Sequence, residues 1–174
     1  LDSMRLSNIS VASNTEEPTK IASGSLDVFR LVQQVKLFNG FSSELLTEIC
    51  ENLKAERFLT GAHIQSSGKR ESALRIVGEG IISFEVIDQD FLMKTTRLVV
   101  TEVFGTDSLI SLTPQSQSVQ SVTDSLLYKL DSTSLQKVIS RYPDVVDALA
   151  VNLAKLNFEE GMAAQRYDLN QIGR

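Results

Sequence analysis

The sequence predicts an α+β protein, mainly β, in which an antiparallel β-roll or jelly roll has helices before it and a helix pair after it. Two observations predict this class. Apolar residues recur at helical spacing near both ends of the chain, whereas between Arg57 and Leu130 they alternate with polar residues at a period of two. The short strands are punctuated by glycines and no helix-like segment separates them, which favours antiparallel over parallel sheets.

The length of 174 residues is sufficient for one hydrophobic core. We expect a flexible linker or tail over residues 1–25, a folded domain over 26–160, and an extension, helical or frayed, over 161–174. The first region is rich in Ser, Asn, Thr and Glu, so it cannot bury enough apolar surface to offset the entropy of ordering. Because the chain begins at Leu1 rather than Met, we expect it to be a piece of a longer protein.

Composition excludes several classes of partner. A net charge of -5 disfavours nucleic acid, because binding to phosphate backbones needs clustered Lys and Arg. The longest apolar runs, such as Leu98–Val100, are far shorter than the ~20 residues that span a bilayer, so we expect no transmembrane segment. The single cysteine, Cys50, excludes a disulfide within the chain and favours a cytoplasmic location.

Two helices are expected before the sheet. The first begins at Leu26 and carries one apolar stripe, and Asn39–Gly40 ends the helical pattern. The second has Ser42 or Ser43 as its N-cap and Glu44 in its first turn, where a negative charge is favourable.

Six strands are then expected in the region of period two. The clearest is Ile82–Val86, in which alternate side chains are apolar. The full set of expected strands is 58–59, 74–77, 82–86, 97–103, 119–122 and 126–130.

Two further helices are expected after the sheet. Ser132 or Ser134 can cap the first, and Pro143 suits the first turn of the second. The second helix is apolar on more than one face from Val145 to Phe158. Such a helix either covers the roll as a lid or pairs with another copy or another domain.

Several short motifs, in a fixed order from Leu26 to Phe158, resemble the cyclic nucleotide-binding domain family. They are Leu37–Phe38 before a helix, the set Phe58, Gly61, Ile64 and Gly68, the run Leu74–Ile82, and Tyr142–Pro143. In that family the Leu74–Ile82 run corresponds to a strand and turn of the form LYIV..G.V. The resemblance implies that the predicted roll is the cyclic nucleotide-binding type.

The resemblance also implies a phosphate-binding cassette, in which family members use a Glu for the ribose hydroxyl and an Arg for the cyclic phosphate. Aligned through Phe104–Gly105 and Pro114, the chain has Thr106 at the Glu position and Gln115 at the Arg position. A second register treats Thr106–Asp107 as a turn and puts Ser111 at the Glu position. Neither register restores the Glu–Arg pair. The candidate ligand-binding residues of this degenerate cassette are Gly105, Thr106, Asp107, Ser108, Ser111, Gln115, Ser116, Gln117 and Ser118.

Two segments are similar to the regulatory repeats of neuropathy target esterase-like lysophospholipases: Val100–Val103 and Asp107–Leu112. That resemblance implies a parent enzyme anchored at the cytosolic face of an intracellular membrane, with several such domains in its cytosolic region. The chain itself contains no Gly-x-Ser-x-Gly nucleophile motif, and we expect no catalytic residue in it.

We therefore predict a non-catalytic regulatory or interaction domain whose partners are neighbouring domains of a longer protein. With the cassette Glu and Arg absent, we expect at most weak binding of cAMP or cGMP, no other cofactor and no metal. The alternative is a sensor of a cyclic nucleotide or another small ligand that controls an attached effector, such as a phospholipase, an esterase or a channel. Neutral hydroxyl groups at Thr106, Ser108 and Ser116 would suit that alternative.

Overall fold

The computed structural model describes residues 19–20, 26–65, 73–87, 93–106 and 118–156. The helices are α1 (Leu26–Gln34), α2 (Ser43–Asn52), α3 (Ser132–Arg141) and α4 (145–156), with a 3-10 turn over Lys36–Phe38. The strands are β1 (Thr19–Lys20), β2 (Lys54–Phe58), β3 (His63–Gln65), β4 (Ala73–Glu79), β5 (Ile82–Ile87), β6 (Met93–Leu98), β7 (Val103–Phe104), β8 (Ser118–Ser121) and β9 (Ser125–Asp131).

The described strands form two antiparallel sheets. One has five strands in the order β1-β2-β9-β4-β7, and the other has four in the order β3-β8-β5-β6. All of their pairings are antiparallel, and the longest registers join β4 to β9 and β5 to β6. The predicted α+β class, a mainly antiparallel roll with flanking helices, is confirmed.

Two hydrophobic cores lie on opposite faces of the five-stranded sheet. The helix-side core joins Leu74, Ile76 and Leu130 of the sheet to the helices, through residues such as Val32 and Val138. The second core, which we call the roll interior, lies between the two sheets. Its buried members are Ile64, Val77, Ile82, Phe104, Val119 and Leu127, with Phe58, Phe84 and Leu98 packed against them.

The helix caps agree with one prediction and correct another. Ser42 is the N-cap of α2, and its hydroxyl accepts the Leu45 N–H at 3.2 Å. For α3 the predicted caps, Ser132 and Ser134, are wrong. The cap is Asp131, whose carboxylate accepts the Ser134 N–H at 2.7 Å. A carboxylate at this position satisfies an unpaired N–H and also interacts favourably with the helix dipole.

The predicted strand over 97–103 is two strands separated by a turn. β6 pairs with β5 in the four-stranded sheet, whereas β7 pairs with β4 in the five-stranded sheet. The chain crosses between the sheets at residues 99–102, where Thr101 adopts a φ of 77°. The Thr101 N–H donates to the Val77 carbonyl at 2.9 Å, so the turn is fixed to β4.

The turn between β4 and β5 needs a glycine. Gly80 has a φ of 87°, and a Cβ there would lie 2.5 Å from the carbonyl oxygen of Asp124. The β4–β5 turn thus packs closely against the β8–β9 turn. This contact explains why the family motif has a glycine at the position of Gly80.

Three smaller predictions have mixed outcomes. Pro143 lies just before α4, which starts at residue 145, so the proline precedes the helix rather than occupying its first turn. Two residues of the predicted tail, Thr19 and Lys20, pair with β2. The other tail residues and the whole of 161–174 lie outside the described residues, so those two assignments stay predictions.

Candidate functional site: the interior of the roll

The strand register identifies which side chains of the five-stranded sheet face the roll interior. Directly paired residues share a face in an antiparallel sheet, and residues two apart on one strand share it as well. Val77 and Leu127 are paired and belong to the roll interior, so their alternate neighbours belong to the same face. The inner-face positions are 54, 56 and 58 on β2, 125, 127, 129 and 131 on β9, 73, 75 and 77 on β4, and 104 on β7.

One half of this inner face is apolar. Phe58, Val77, Phe104 and Leu127 pack against side chains of the opposite sheet, among them Val119. Val77 and Leu127 are 0% exposed, so these side chains fill the space between the sheets. The hydrophobic contacts of this half hold the two sheets together, and its inner-face positions carry no charged residue.

The other half carries charges that are paired with one another. Arg75 Nε lies 3.0 Å from Glu56 Oε1, and the two side chains are 3% and 18% exposed. Lys54 Nζ lies 2.9 Å from Asp131 Oδ2, and these side chains are 39% and 26% exposed. We call Lys54, Glu56, Arg75, Lys129 and Asp131 the ionic row; exposure in its two salt bridges is lowest at Arg75 and highest at Lys54.

The carboxyl of Asp131 is held in its ionised form. Burial disfavours the charge, but hydrogen bonds from the Ser134 N–H and from Lys54, together with the Lys54 charge, lower its pKa from 3.8 to about 2. The same carboxylate therefore caps α3 and neutralises Lys54. It connects the ionic row to the helices.

The two ends of the predicted cassette are attached to different sheets. Phe104 pairs with Arg75 in the five-stranded sheet, and Ser118 pairs with Glu85 in the four-stranded sheet. Gly105 has a φ of 87° and directs the chain away from the sheet after Phe104. The cassette therefore begins beside the buried guanidinium of Arg75.

Few of the predicted site residues fall in described parts of the chain. Thr106 is half-buried and lies two residues after the end of β7, and Ser118 is the first residue of β8. The other candidates, Asp107, Ser108, Ser111, Gln115, Ser116 and Gln117, lie outside the described residues. Their roles, and the choice between the two cassette registers, stay predictions.

A small apolar cavity lies on the helix side of the sheet. It has a volume of about 30 Å³, which is room for about one water molecule. Its lining includes Thr106, Leu74 and Leu130 together with side chains of α2, α3 and α4. Thr106 therefore faces the helices, and the cavity there is far too small for a nucleotide.

Sequence reasoning missed the Arg75–Glu56 pair. The signal was visible in the Leu74–Val77 run, where an arginine stands among apolar strand residues. A charge at such a position is buried only when it is paired. The partner could not be identified without the register, because Glu56 lies on β2, which is separated from β4 in the sheet by β9.

Other chemistry is limited in the described parts of the chain. Burial, with the nearby Glu51 charge, raises the pKa of the Cys50 thiol to about 11, so the thiol stays protonated near neutral pH. Within the described ranges, no three His, Cys, Asp or Glu side chains lie together as metal ligands would. No helix among the described residues has both the length and the apolar composition needed to cross a bilayer.

Comparison with protein-family models gives no match, and no curated protein matches by sequence. Solved structures do match. A cyclic nucleotide-binding domain from Methylobacillus flagellatus is 16% identical with a TM-score of 0.68, covering 83% of this chain and 82% of that one. The N-terminal domain of a Streptomyces coelicolor transcriptional regulator is 20% identical with a TM-score of 0.65, covering 76% and 96%.

A third match is the Thermus thermophilus catabolite activator protein. It is 25% identical with a TM-score of 0.64, and the alignment covers 76% of this chain and 63% of that protein. At such identities the shared property is the fold. The chain therefore has the antiparallel β-roll fold of cyclic nucleotide-binding domains.

Proposed function

We propose that this chain is a non-catalytic regulatory domain that binds neither cAMP nor cGMP at regulatory concentrations and acts through contacts with neighbouring domains of a longer protein. The fold supports the regulatory part of the proposal, since the solved relatives include a transcriptional regulator and a catabolite activator protein. The interior of the roll supports the part about ligands.

The observation that carries the proposal is the largely buried ion pair between Arg75 and Glu56. Among the described arginines Arg75 alone faces the roll interior, and its guanidinium is already bonded to Glu56 at 3.0 Å. A phosphate that took Arg75 would leave the Glu56 carboxylate, which is only 18% exposed, without its partner. Leaving one charge of a buried pair uncompensated is strongly unfavourable. The internal pair therefore opposes the binding of an anionic ligand.

The sequence of the cassette also argues against tight binding of a cyclic nucleotide. In the first register Thr106 and Gln115 stand where the family has Glu and Arg. A hydrogen bond to a charged group contributes ~1.5–3 kcal/mol, so the loss of the Arg weakens a phosphate complex by up to about a hundredfold. Micromolar affinity would fall to the range of about 100 µM.

We further propose that the parent is a neuropathy target esterase-like lysophospholipase and that this domain lies in the cytoplasm. The resemblance of the segments Val100–Val103 and Asp107–Leu112 to the regulatory repeats of that family supports this. Expression of the parent with and without this domain tests it. A change in lysophospholipase activity or location supports the proposal, and a parent without such activity contradicts it.

Calorimetric titration with cAMP and cGMP tests the main proposal. We expect no saturable heat of binding below about 100 µM nucleotide. A known cAMP-binding domain, measured under the same conditions, is the positive control. Saturable binding in the low micromolar range would contradict the proposal and favour the ligand-sensor alternative.

A further inference from the structure

We propose that Arg75 is an oxyanion-binding group inside the roll, and that the carboxylate of Glu56 is its built-in occupant. The ligand class is a small oxyanion, either a carboxylate or a phosphate. This inference rests on the proposed function, because it explains why the roll binds no external anion while Glu56 is in place. Removal of the Glu56 carboxylate exposes a site that an external oxyanion fills.

The position of Arg75 suits such a site. It stands on the inner face of β4, directly paired with Phe104, and the predicted cassette follows at Gly105. On its other side it pairs with Lys129, a second inner-face cation. The described ionic row thus contains the cations Lys54, Arg75 and Lys129 and the anions Glu56 and Asp131.

The contact between Glu56 and Arg75 has the geometry expected for an external carboxylate bound to an arginine. Glu56 presents one carboxylate oxygen to the Arg75 Nε at 3.0 Å, as a bound carboxylate would. The two residues lie on β2 and β4, which are separated by β9, so the carboxylate reaches across an intervening strand. Shortening this side chain leaves a space of carboxylate size next to the guanidinium.

Access from solvent exists at one end of the ionic row. The Arg75 side chain is 3% exposed and the Glu56 side chain is 18% exposed, while that of Lys54 is 39% exposed. A small anion can therefore approach along the path that Glu56 now fills. A buried guanidinium with a short path to water is a site at which an exogenous anion can exchange.

The test is chemical rescue of Glu56→Ala by formate, acetate or inorganic phosphate, each compared with sodium chloride at equal ionic strength. We expect acetate at a tenfold excess over its Kd to raise the Tm of Glu56→Ala by about 3–6 °C. The wild-type Tm should not change relative to chloride. Comparing the Tm increase in formate and acetate with that in phosphate shows whether the site prefers a carboxylate or a phosphate.

Two variants control for non-specific anion effects. In the double variant Glu56→Ala/Arg75→Met the rescue should disappear, because the guanidinium is gone. Glu48→Ala breaks the pair between Glu48 and Arg141, whose side chain is 70% exposed, and should gain nothing from acetate. Equal anion effects in all variants, or no rescue of Glu56→Ala, would overturn the inference.

The inference can still be tested if a variant does not fold on its own. Should Glu56→Ala be unfolded alone, recovery of its folded circular dichroism spectrum in acetate is the expected result, because binding to the folded state alone stabilises it. Glu56→Thr, which suits a strand, repeats the test. If neither variant folds with any of the anions, the inference is wrong. Cyclic nucleotide binding by the wild type is measured separately and would instead contradict the proposed function.

Discussion

The side chain of Asp131 joins β2, β9 and α3. One carboxylate oxygen accepts the Ser134 N–H and caps α3, and the other lies 2.9 Å from Lys54 Nζ. Burial opposes ionisation, but these partners still lower its pKa to about 2. A carboxyl with a lower pKa in the folded than in the unfolded state stabilises the fold while it is ionised, and that stabilisation is lost on acidification.

Asp131→Asn tests this account, because asparagine keeps an oxygen that can cap α3 but removes the charge. We expect the variant to be less stable than wild type by about 1–2 kcal/mol at neutral pH, a figure reduced for partial solvation of the side chain. The difference should shrink as the pH falls from 3.8, the usual value, towards about 2. Urea denaturation at a series of pH values measures it.

The control is Glu85→Gln, which removes an exposed charge from β5. It should change stability little at any pH. A deficit in Asp131→Asn that stays constant from neutral pH to about pH 2 would show that the lost charge is not its cause.

For single residues, the sequence predicts where a side chain lies within an element better than it predicts which side chain it contacts. Ser42 could be identified as a cap from its place before an apolar stripe, since capping is local. The cap of α3 was assigned to the wrong residue because Asp131 is also the last residue of β9, and strand and cap patterns overlap there. The Arg75–Glu56 pair depends on sheet register, which local spacing does not contain.

Among the elements, the turn between β6 and β7 stores backbone strain. Thr101 has a φ of 77°, a conformation that costs a non-glycine residue ~1–2 kcal/mol and is rare for β-branched residues. Hydrogen bonds to Val77 and between Val99 and Glu102 hold it in place. Thr101→Gly should therefore raise the free energy of unfolding by about 0.5–1 kcal/mol, after allowing for the more flexible unfolded chain.

Thr101→Ala is the matched control, because alanine retains the Cβ that makes this conformation unfavourable. Chemical denaturation should show a gain for glycine and little or none for alanine. A loss of stability in Thr101→Gly would mean that contacts of the threonine side chain outweigh its backbone strain.

Asn152 attaches α4 to the 3-10 turn. It is 9% exposed, and its Nδ2 donates to the carbonyl oxygens of Leu37 and Asn39 at 2.8 and 2.9 Å. Asn152→Ala should destabilise the protein by about 2 kcal/mol, since it removes two hydrogen bonds and leaves buried carbonyl groups unsatisfied. Hydrogen exchange should accelerate in α4 more than in β4 or β9.

Lys155→Ala, at an exposed position on the same helix, controls for the change in helix propensity and charge. It should leave the exchange rates of α4 close to wild type. Uniform acceleration across the sheet in Asn152→Ala would indicate that α4 unfolds only together with the whole domain.

Periodicity predicts some strands well and misses others. The strands around 74–77, 82–86 and 126–130 are predicted because alternation indicates a half-buried pleated surface. The expected strand over 58–59 meets β2 only at Phe58, and β3 is not among the expected strands. The break at residues 99–102 is not predicted, because the segment contains neither Gly nor Pro. There the crossing between two sheets, rather than local preference, decides the backbone conformation.

For the whole molecule, the five-stranded sheet is the layer shared by both cores. Leu74 and Ile76 face the helices while Arg75 and Val77 face the roll, so one strand contributes to both cores. Thr106 lines the cavity among α2, α3 and α4, which places the start of the cassette against the helical layer. A change in the roll therefore has a direct packing route to the helices.

The sequence predicted the overall fold because helical and strand periods divide the chain clearly and glycines mark the turns. The cassette resemblance placed the candidate ligand-binding residues mostly at positions outside the described parts of the chain, so that assignment stays a prediction. The sequence did not predict that the inner-face guanidinium would be neutralised within the domain, since that follows only from the packing of β2, β9 and β4.

Inside the roll the Arg75 guanidinium is bonded to Glu56 and apolar side chains lie between the two sheets, so our central claim is that neither cAMP nor cGMP enters it at regulatory concentrations. The most direct measurement is a titration of the wild type with cAMP and cGMP, followed by methyl NMR signals of Val77, Val119 and Leu127. We predict that none of these signals moves saturably below about 100 µM. Saturable shifts of these interior methyl groups at low micromolar nucleotide would contradict the claim.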